Sequence, residues 1–140
     1  SSQNLNGEVS PDGRWLAYQS DETGRYEIFV RPYPNVQSGA KRTISVNGGT
    51  KPLWARSGNE LFYLDAEGYL MAVQFQARTG FAAETAKRVF HRRYHSLDEL
   101  GRTYDVSPDG HRFLMLKGAL DQTDIVVVLN WYEGLRKATQ

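Results

Sequence analysis

The sequence predicts an all-β fold, a partial β-propeller of about three four-stranded antiparallel blades with a short C-terminal helix. Three observations predict it. One turn-forming segment occurs three times, at intervals typical of propeller blades. Aromatic residues make up 12% of the 140 residues and glycines number 13, which favours strands joined by tight turns. Apolar residues are 40% and charged residues 24%, the composition of a folded domain rather than a disordered chain.

The repeat is defined by its turns. Its three copies are residues 10–18, 55–63 and 107–115. Their turn glycines, at positions 13, 58 and 110, are 45 and 52 residues apart. In the Ser-Pro-Asp-Gly copies, proline sets φ at the first central position of the turn, aspartate bonds to nearby backbone, and glycine accepts a positive φ. Each copy is therefore predicted to be a hairpin turn between two strands.

The later parts of each repeat predict the remaining strands. Third strands are predicted at residues 26–30, 69–73 and 124–129, and short fourth strands at residues 42–45 and 87–90. The blades then cover about residues 8–46, 50–91 and 102–131 of a single propeller segment. Tryptophans Trp15, Trp54 and Trp131 are predicted to belong to the blade core, although aromatics at the open end of a propeller also suit a ligand.

The third repeat is predicted to lack its fourth strand. Residues 132–139 are predicted to form a short helix instead, because Leu135, Arg136 and Lys137 favour helices. A three-stranded blade leaves an unpaired edge, and residues 1–7 are too polar and too short to be a convincing filler. The missing strand is expected from sequence outside this chain or from another copy. The lack of an initiator Met adds the expectation of a fragment or a processed product.

These motifs match a known family. SPDGR at residues 10–14, an apolar strand, and YEIFVR at residues 26–31 together resemble the TolB-like propeller repeat, a relative of the WD repeat. GTKPLW at residues 49–54 fits its first-strand pattern, whereas RSGN at residues 56–59 departs from Pro-Asp. VVLNW at residues 127–131, with a basic helix after it, resembles the end of bacterial chains that carry these repeats behind a serine/threonine kinase or a winged-helix regulator. The resemblance covers about residues 8–137.

The resemblance implies a non-catalytic scaffold for protein interaction or ligand sensing. The chain is therefore not expected to be an enzyme. Such a scaffold is part of a larger protein. The missing fourth strand of the third repeat adds the alternative of a module that self-associates, with two copies forming a six-bladed homodimer. The alternative is the propeller of a prolyl-oligopeptidase-like hydrolase, which needs a following domain with Ser, Asp and His in that order. The chain ends soon after its last strand, which counts against that alternative. The resemblance suggests a periplasmic or extracytoplasmic location, and a cytoplasmic one fits the composition equally well.

A basic cluster is the predicted interaction surface. Its members are Lys87, Arg88, His91, Arg92 and Arg93. The cluster suits a phosphate or an acidic partner, with a solvated loop as the alternative. No nucleic-acid partner is predicted, because stacking aromatics are not interleaved with these cations and the net charge of the chain is only +1.

No metal, cofactor or catalytic residue is predicted. His91 and His95 have a metal-compatible spacing on a helix, but no His-Glu-x-x-His motif accompanies them, and a metal-dependent lyase needs more clustered histidines. Asp12 and Asp109 are predicted to be turn residues, and His111 to be exposed. Without cysteine there is no thiol nucleophile. No apolar run reaches the roughly 18–20 residues of a membrane span, so no membrane insertion is predicted.

Overall fold

The computed structural model describes residues 2–76, 82–91, 101–118 and 123–129, and the secondary structure of these residues is β throughout. Three antiparallel sheets form in chain order. The first contains β1 (Asn4–Val9), β2 (Trp15–Ser20), β3 (Glu27–Pro32) and β4 (Arg42–Thr43). The second contains β5 (Thr50–Trp54), β6 (Glu60–Leu64), β7 (Tyr69–Gln76), β8 (Ala82–Ala83) and β9 (Lys87–His91). The third contains β10 (Tyr104–Val106), β11 (Arg112–Gly118) and β12 (Thr123–Leu129).

The three antiparallel sheets confirm the predicted all-β fold of a partial propeller. In the second sheet both β8 and β9 pair with β7, and the pairing of β8 was not predicted. The first strand begins at Asn4, before the predicted blade, because backbone pairing of Asn4 with Ser20 and of Leu5 with Gln19 does not require apolar side chains. The predicted helix at residues 132–139 and Trp131 lie outside the described residues.

The three repeated turns have one geometry. Gly13, Gly58 and Gly110 have φ of 70°, 72° and 75°, a conformation that costs glycine little. In the first turn the amide of Gly13 donates to the Ser10 carbonyl at 2.8 Å, and in the second the amide of Gly58 donates to the Ala55 carbonyl at 2.9 Å. The second turn thus closes like the others although its sequence lacks Pro-Asp.

The two aspartates of these turns have structural partners. The Asp12 carboxylate accepts from the Ser10 hydroxyl at 2.6 Å and from the Arg14 amide at 3.1 Å. Asp109 accepts in the same way from the Ser107 hydroxyl and from the His111 amide. These hydrogen bonds lower the pKa of both carboxyl groups, and the bond from the serine hydroxyl has the largest effect. Both aspartates are therefore turn residues, as predicted.

The hydrophobic core lies between the blades rather than inside one. Between the first two blades it contains Ala17, Ile28, Val30, Trp54, Leu61, Tyr63, Val73 and Phe75. Between the second and third it contains Leu53, Ala55, Phe62, Leu70, Ala72, Tyr104, Phe113 and Met115. The middle blade therefore buries both of its faces, which explains why its strands are continuous apolar runs instead of alternating ones.

A buried carboxylate organises the connection from the first blade to the second. Glu27 accepts hydrogen bonds from the Ser45 hydroxyl and, at 3.0 Å, from the amide of Gly48. The Ser45 oxygen in turn accepts from the amide of Ile28 at 2.8 Å. Gly49 follows, where an added Cβ would lie 2.7 Å from the Ser45 Cβ, so only glycine fits. These contacts fix the path of the chain into β5.

Candidate binding cleft at the first strands

The first strands of the three blades, β1, β5 and β10, converge on one cleft. It has a volume of about 540 Å³ and is open to solvent. We call it the axial cleft. Its lining includes Asn6, Glu8, Pro52, Arg102, Tyr104 and Asp105. Because no single blade forms it, the cleft depends on the packing of the blades against one another.

Two equivalent bulges shape the wall of the axial cleft. The register of β1 shifts between Leu5 and Glu8, and that of β5 shifts between Thr50 and Leu53. In each bulge a residue other than glycine has a positive φ, 51° at Asn6 and 56° at Lys51. These two residues are 45 positions apart, so they are the same site in successive repeats. Bulges of this kind interrupt strand pairing and are frequent beside binding sites.

Charged side chains from distant parts of the chain meet at the cleft. Arg102 of the third blade forms an ion pair with Glu8 of the first, and its Nε donates to the Tyr104 carbonyl at 3.0 Å. Asp105 is exposed, and its carboxylate accepts only the amide of the next residue, Val106, among the described contacts. The axial cleft therefore presents one neutralised pair and one carboxylate directed to solvent.

Hydrogen bonds between blades hold the wall in place. The buried Gln19 accepts from Asn6 Nδ2 and from the amide of Lys51, both at 2.8 Å, and so ties the two bulges together. The Tyr104 hydroxyl donates to the Lys51 carbonyl at 2.7 Å. Trp54 Nε1 donates to the Glu8 carbonyl at 3.1 Å. The first strands of neighbouring blades, β1 with β5 and β5 with β10, are thereby joined by side chains.

Replacing Tyr104 with phenylalanine is expected to lower the free energy of unfolding by about 1–3 kcal/mol, because the buried Lys51 carbonyl loses its donor while the ring packing stays. Urea unfolding followed by tryptophan fluorescence measures the change. The exposed Tyr33 provides the matched control, Tyr33→Phe. Equal stability of the Tyr104 variant and the wild type would show that the hydrogen bond does not hold the blades together.

Alkaline pH is expected to destabilise the protein. Burial, with the nearby Asp65 carboxylate, raises the pKa of Tyr63 to about 12, and burial raises the pKa of Tyr104 well above 10. An unfolded tyrosine ionises near 10, so the stability due to the neutral phenols is present below that pH and is lost as the pH rises from 10 toward 12. Unfolding curves between about pH 9 and pH 11 should show this loss, reduced in Tyr63→Phe. A variant with an unchanged pH profile would contradict it.

The predicted basic cluster lies elsewhere, on the outer strand β9. Lys87, Arg88 and His91 are exposed there, whereas Arg92 and Arg93 lie outside the described residues. Arg88 forms an ion pair with Glu67 at 3.1 Å and lies over the ring of Tyr69 at 4.0 Å. The ring of His91 is 4.2 Å from the same tyrosine ring. Sequence reasoning missed this aromatic because only the pairing of β7 with β9 brings it there.

The residues of the axial cleft were also missed by sequence reasoning. Glu8 and Arg102 are 94 positions apart, and neither belongs to a recognised motif. The only signal in the sequence is their place just before the turn segments, at the start of each repeat.

The described residues contain no metal-binding group of side chains. There, no three His, Asp or Glu side chains lie close enough to hold a metal ion. His95 is outside the described residues, so its predicted spacing from His91 has no structural counterpart. His111 is exposed, as predicted. Within the same part of the chain, no helix has the length and apolar character needed to cross a bilayer.

Three antiparallel sheets in chain order, with a hydrophobic core between each neighbouring pair, are the arrangement of a segment of a β-propeller. No family model and no curated protein matches the sequence. Solved structures do match. A protein assigned as TolB from Agrobacterium tumefaciens superposes with a TM-score of 0.63 at 14% identity, over 92% of this chain and 47% of that one. TolB from Acinetobacter baumannii gives 0.59 at 12% identity, over 89% and 29%.

The fold is therefore that of a TolB-like β-propeller, as the repeat motifs predicted. The identities are low, so the likeness concerns the fold. The chain spans less than half the length of either solved protein. These proportions are consistent with a partial propeller.

Proposed function

We propose that the chain is a non-catalytic propeller module that binds a protein partner through an extended peptide segment in the axial cleft. The observation that supports this most directly is the convergence of three first strands on one open cleft, with two bulges that interrupt strand pairing in its wall. Ligands of propellers and other repeat folds bind where such loops and bulges leave the regular ladder.

The lining indicates the kind of peptide. Pro52, Leu114 and Leu116 provide apolar surface. Asp105 adds a carboxylate with no cationic partner among the described contacts, while Glu8 is neutralised by Arg102. A peptide with a basic residue flanked by apolar residues fits this combination, because the cation pairs with Asp105 in a partly desolvated cleft.

The non-catalytic role is proposed from the same groups. The ion pair and hydrogen bonds of the cleft fasten one blade to the next, which suits a binding scaffold. Fusion to a kinase or a regulator, the basic cluster as a second interaction surface, and an extracytoplasmic location stay predictions of the sequence.

A phage-displayed random peptide library, selected on the purified chain, tests the proposal. Selected peptides should be enriched in Lys or Arg next to apolar residues, and Asp105→Asn should weaken their binding about tenfold, equal to about 1.4 kcal/mol. Glu84→Gln is the matched control, since Glu84 is an exposed carboxylate on the second blade, away from the cleft. Peptides that bind both variants equally, or the absence of any selected peptide, would overturn the proposal.

A further inference from the structure

In the described part of the chain, one face of the first blade is not covered by another blade. We call it the open face and define it by Val9, Leu16, Tyr18 and Tyr33. Val9 and Tyr33 are each 41% exposed, and Leu16 and Tyr18 are half-buried. A cavity of about 510 Å³ lies on this face. Four large apolar or aromatic side chains on one exposed sheet face indicate an interaction surface.

The repeat identifies what covers the open face. Val9, Leu16 and Tyr18 are equivalent to residues 45 positions later in the second blade, namely Trp54, Leu61 and Tyr63. Those three are at most 4% exposed, because the first blade packs on them.

Tyr33 extends the equivalence to β3 and β7. Its amide donates to the Arg14 carbonyl, and the amide of Phe75 donates in the same way to the carbonyl of Asn59, which is 45 positions after Arg14. Phe75 is buried against the first blade. At all four equivalent positions of the second blade, the side chain is buried against the first blade. A further blade therefore fits the open face.

The matching surface occurs at the other end of the same chain. On the third blade, Leu114 is 43% exposed and pairs in register with Asp105, so both lie on the face directed away from the second blade. Their equivalents 52 positions earlier are Phe62 and Leu53, which are buried against the third blade. This far face of the third blade is thus the type of surface that covers the next blade in the series.

The open face also holds a buried polar group that lacks a partner. Arg31 pairs in register with Leu16, which places it on the open face, and its Nε is buried without a hydrogen-bond acceptor in the described part of the chain. A buried guanidinium nitrogen without an acceptor is costly, and an acceptor supplied by a docked blade would satisfy it.

We propose that the open face binds the far face of the third blade of a second copy of this chain. The two contacts between two copies are then equivalent, and the assembly closes on itself with two-fold symmetry. Twice three blades make six, within the roughly four to eight blades of closed propellers. Leu114 also lines the axial cleft, so a docked copy and a bound peptide would compete for that end of the cleft.

The mass of the assembly in solution tests the proposal. Light scattering during gel filtration should give twice the 15.9 kDa of one chain for the wild type. Leu16→Glu on the open face and Leu114→Lys on the third blade should each give the mass of one chain, with circular dichroism showing the β-sheet signal of the wild type. Val46→Glu is the matched control, because Val46 is 74% exposed and lies on neither face.

Mixing the two charged variants separates lost binding from lost folding. A pair of one Leu16→Glu chain and one Leu114→Lys chain has one wild-type contact and one Glu–Lys contact, whereas each variant alone places its charge against leucine in both contacts. The mixture should therefore recover the mass of two chains. A wild type with the mass of one chain at every concentration, a mixture that stays at one chain, or an equal effect of Val46→Glu would overturn the proposal.

Discussion

Replacing Phe113 with alanine is expected to lower the free energy of unfolding by about 3–5 kcal/mol. Phe113 is fully buried between the second and third blades. Its ring meets the ring of Phe62 edge to face, with centroids 5.0 Å apart, and that of Phe90 at 5.8 Å. Alanine would leave a cavity where three aromatic rings meet.

Urea unfolding measures this loss, and hydrogen exchange locates it. The amides of β10 and β11 should exchange faster in Phe113→Ala, while those of β2 and β3 should change less. Val46→Ala is the matched control, since truncating a side chain that is 74% exposed should change stability by less than about 0.5 kcal/mol. Similar losses for the two variants would show that the second and third blades are not held together by this aromatic cluster.

Replacing Glu27 with alanine is expected to cost about 2–5 kcal/mol. The buried carboxylate is the acceptor for the Ser45 hydroxyl and for the amide of Gly48, and each buried donor left without an acceptor costs roughly 1–3 kcal/mol. Its ion pair with Arg25 adds little to this figure, because the arginine side chain is largely exposed. The loss would fall on the connection between the first and second blades.

Two further variants show whether hydrogen bonding is the cause. Glu27→Gln keeps an acceptor oxygen at the same place and should recover part of the loss. Glu67→Ala removes an exposed carboxylate whose partner Arg88 is also exposed, and it should change stability by less than about 1 kcal/mol. Thermal unfolding by circular dichroism ranks the three variants. If Glu27→Gln were as unstable as Glu27→Ala, the charge rather than the acceptor would be responsible.

The predictions from sequence were most accurate where the controlling interactions are local. Pro11, Asp12 and Gly13 determine a turn among themselves, and the same geometry recurs around Gly110. The turn at Gly58 forms without Pro-Asp, since the positive φ of the glycine and the strands on either side suffice. The predictions of strand boundaries and partners were less accurate. The start of β1 at Asn4 depends on a partner strand rather than on its own polar sequence.

The axial cleft and the open face could not be predicted from the sequence. Glu8 and Arg102 meet because the first and third blades both line the axial cleft, which no local pattern encodes. The exposed side chains of Val9 and Leu114 resemble core residues in sequence, and only the arrangement of the blades shows that they are uncovered. For the basic cluster, the sequence showed the charges, but only the structure shows that Arg88 stacks on Tyr69.

The sequence alone determined that this chain forms successive blades of a TolB-like propeller, because turn chemistry and apolar strands act over a few residues and recur with the repeat. The tertiary structure decided which faces of those blades are covered, which charges meet at the axial cleft, and where side chains such as Gln19 and Tyr104 join one blade to the next. The physical reason is that these contacts join residues tens of positions apart, and their energies depend on burial that exists only once the blades have packed.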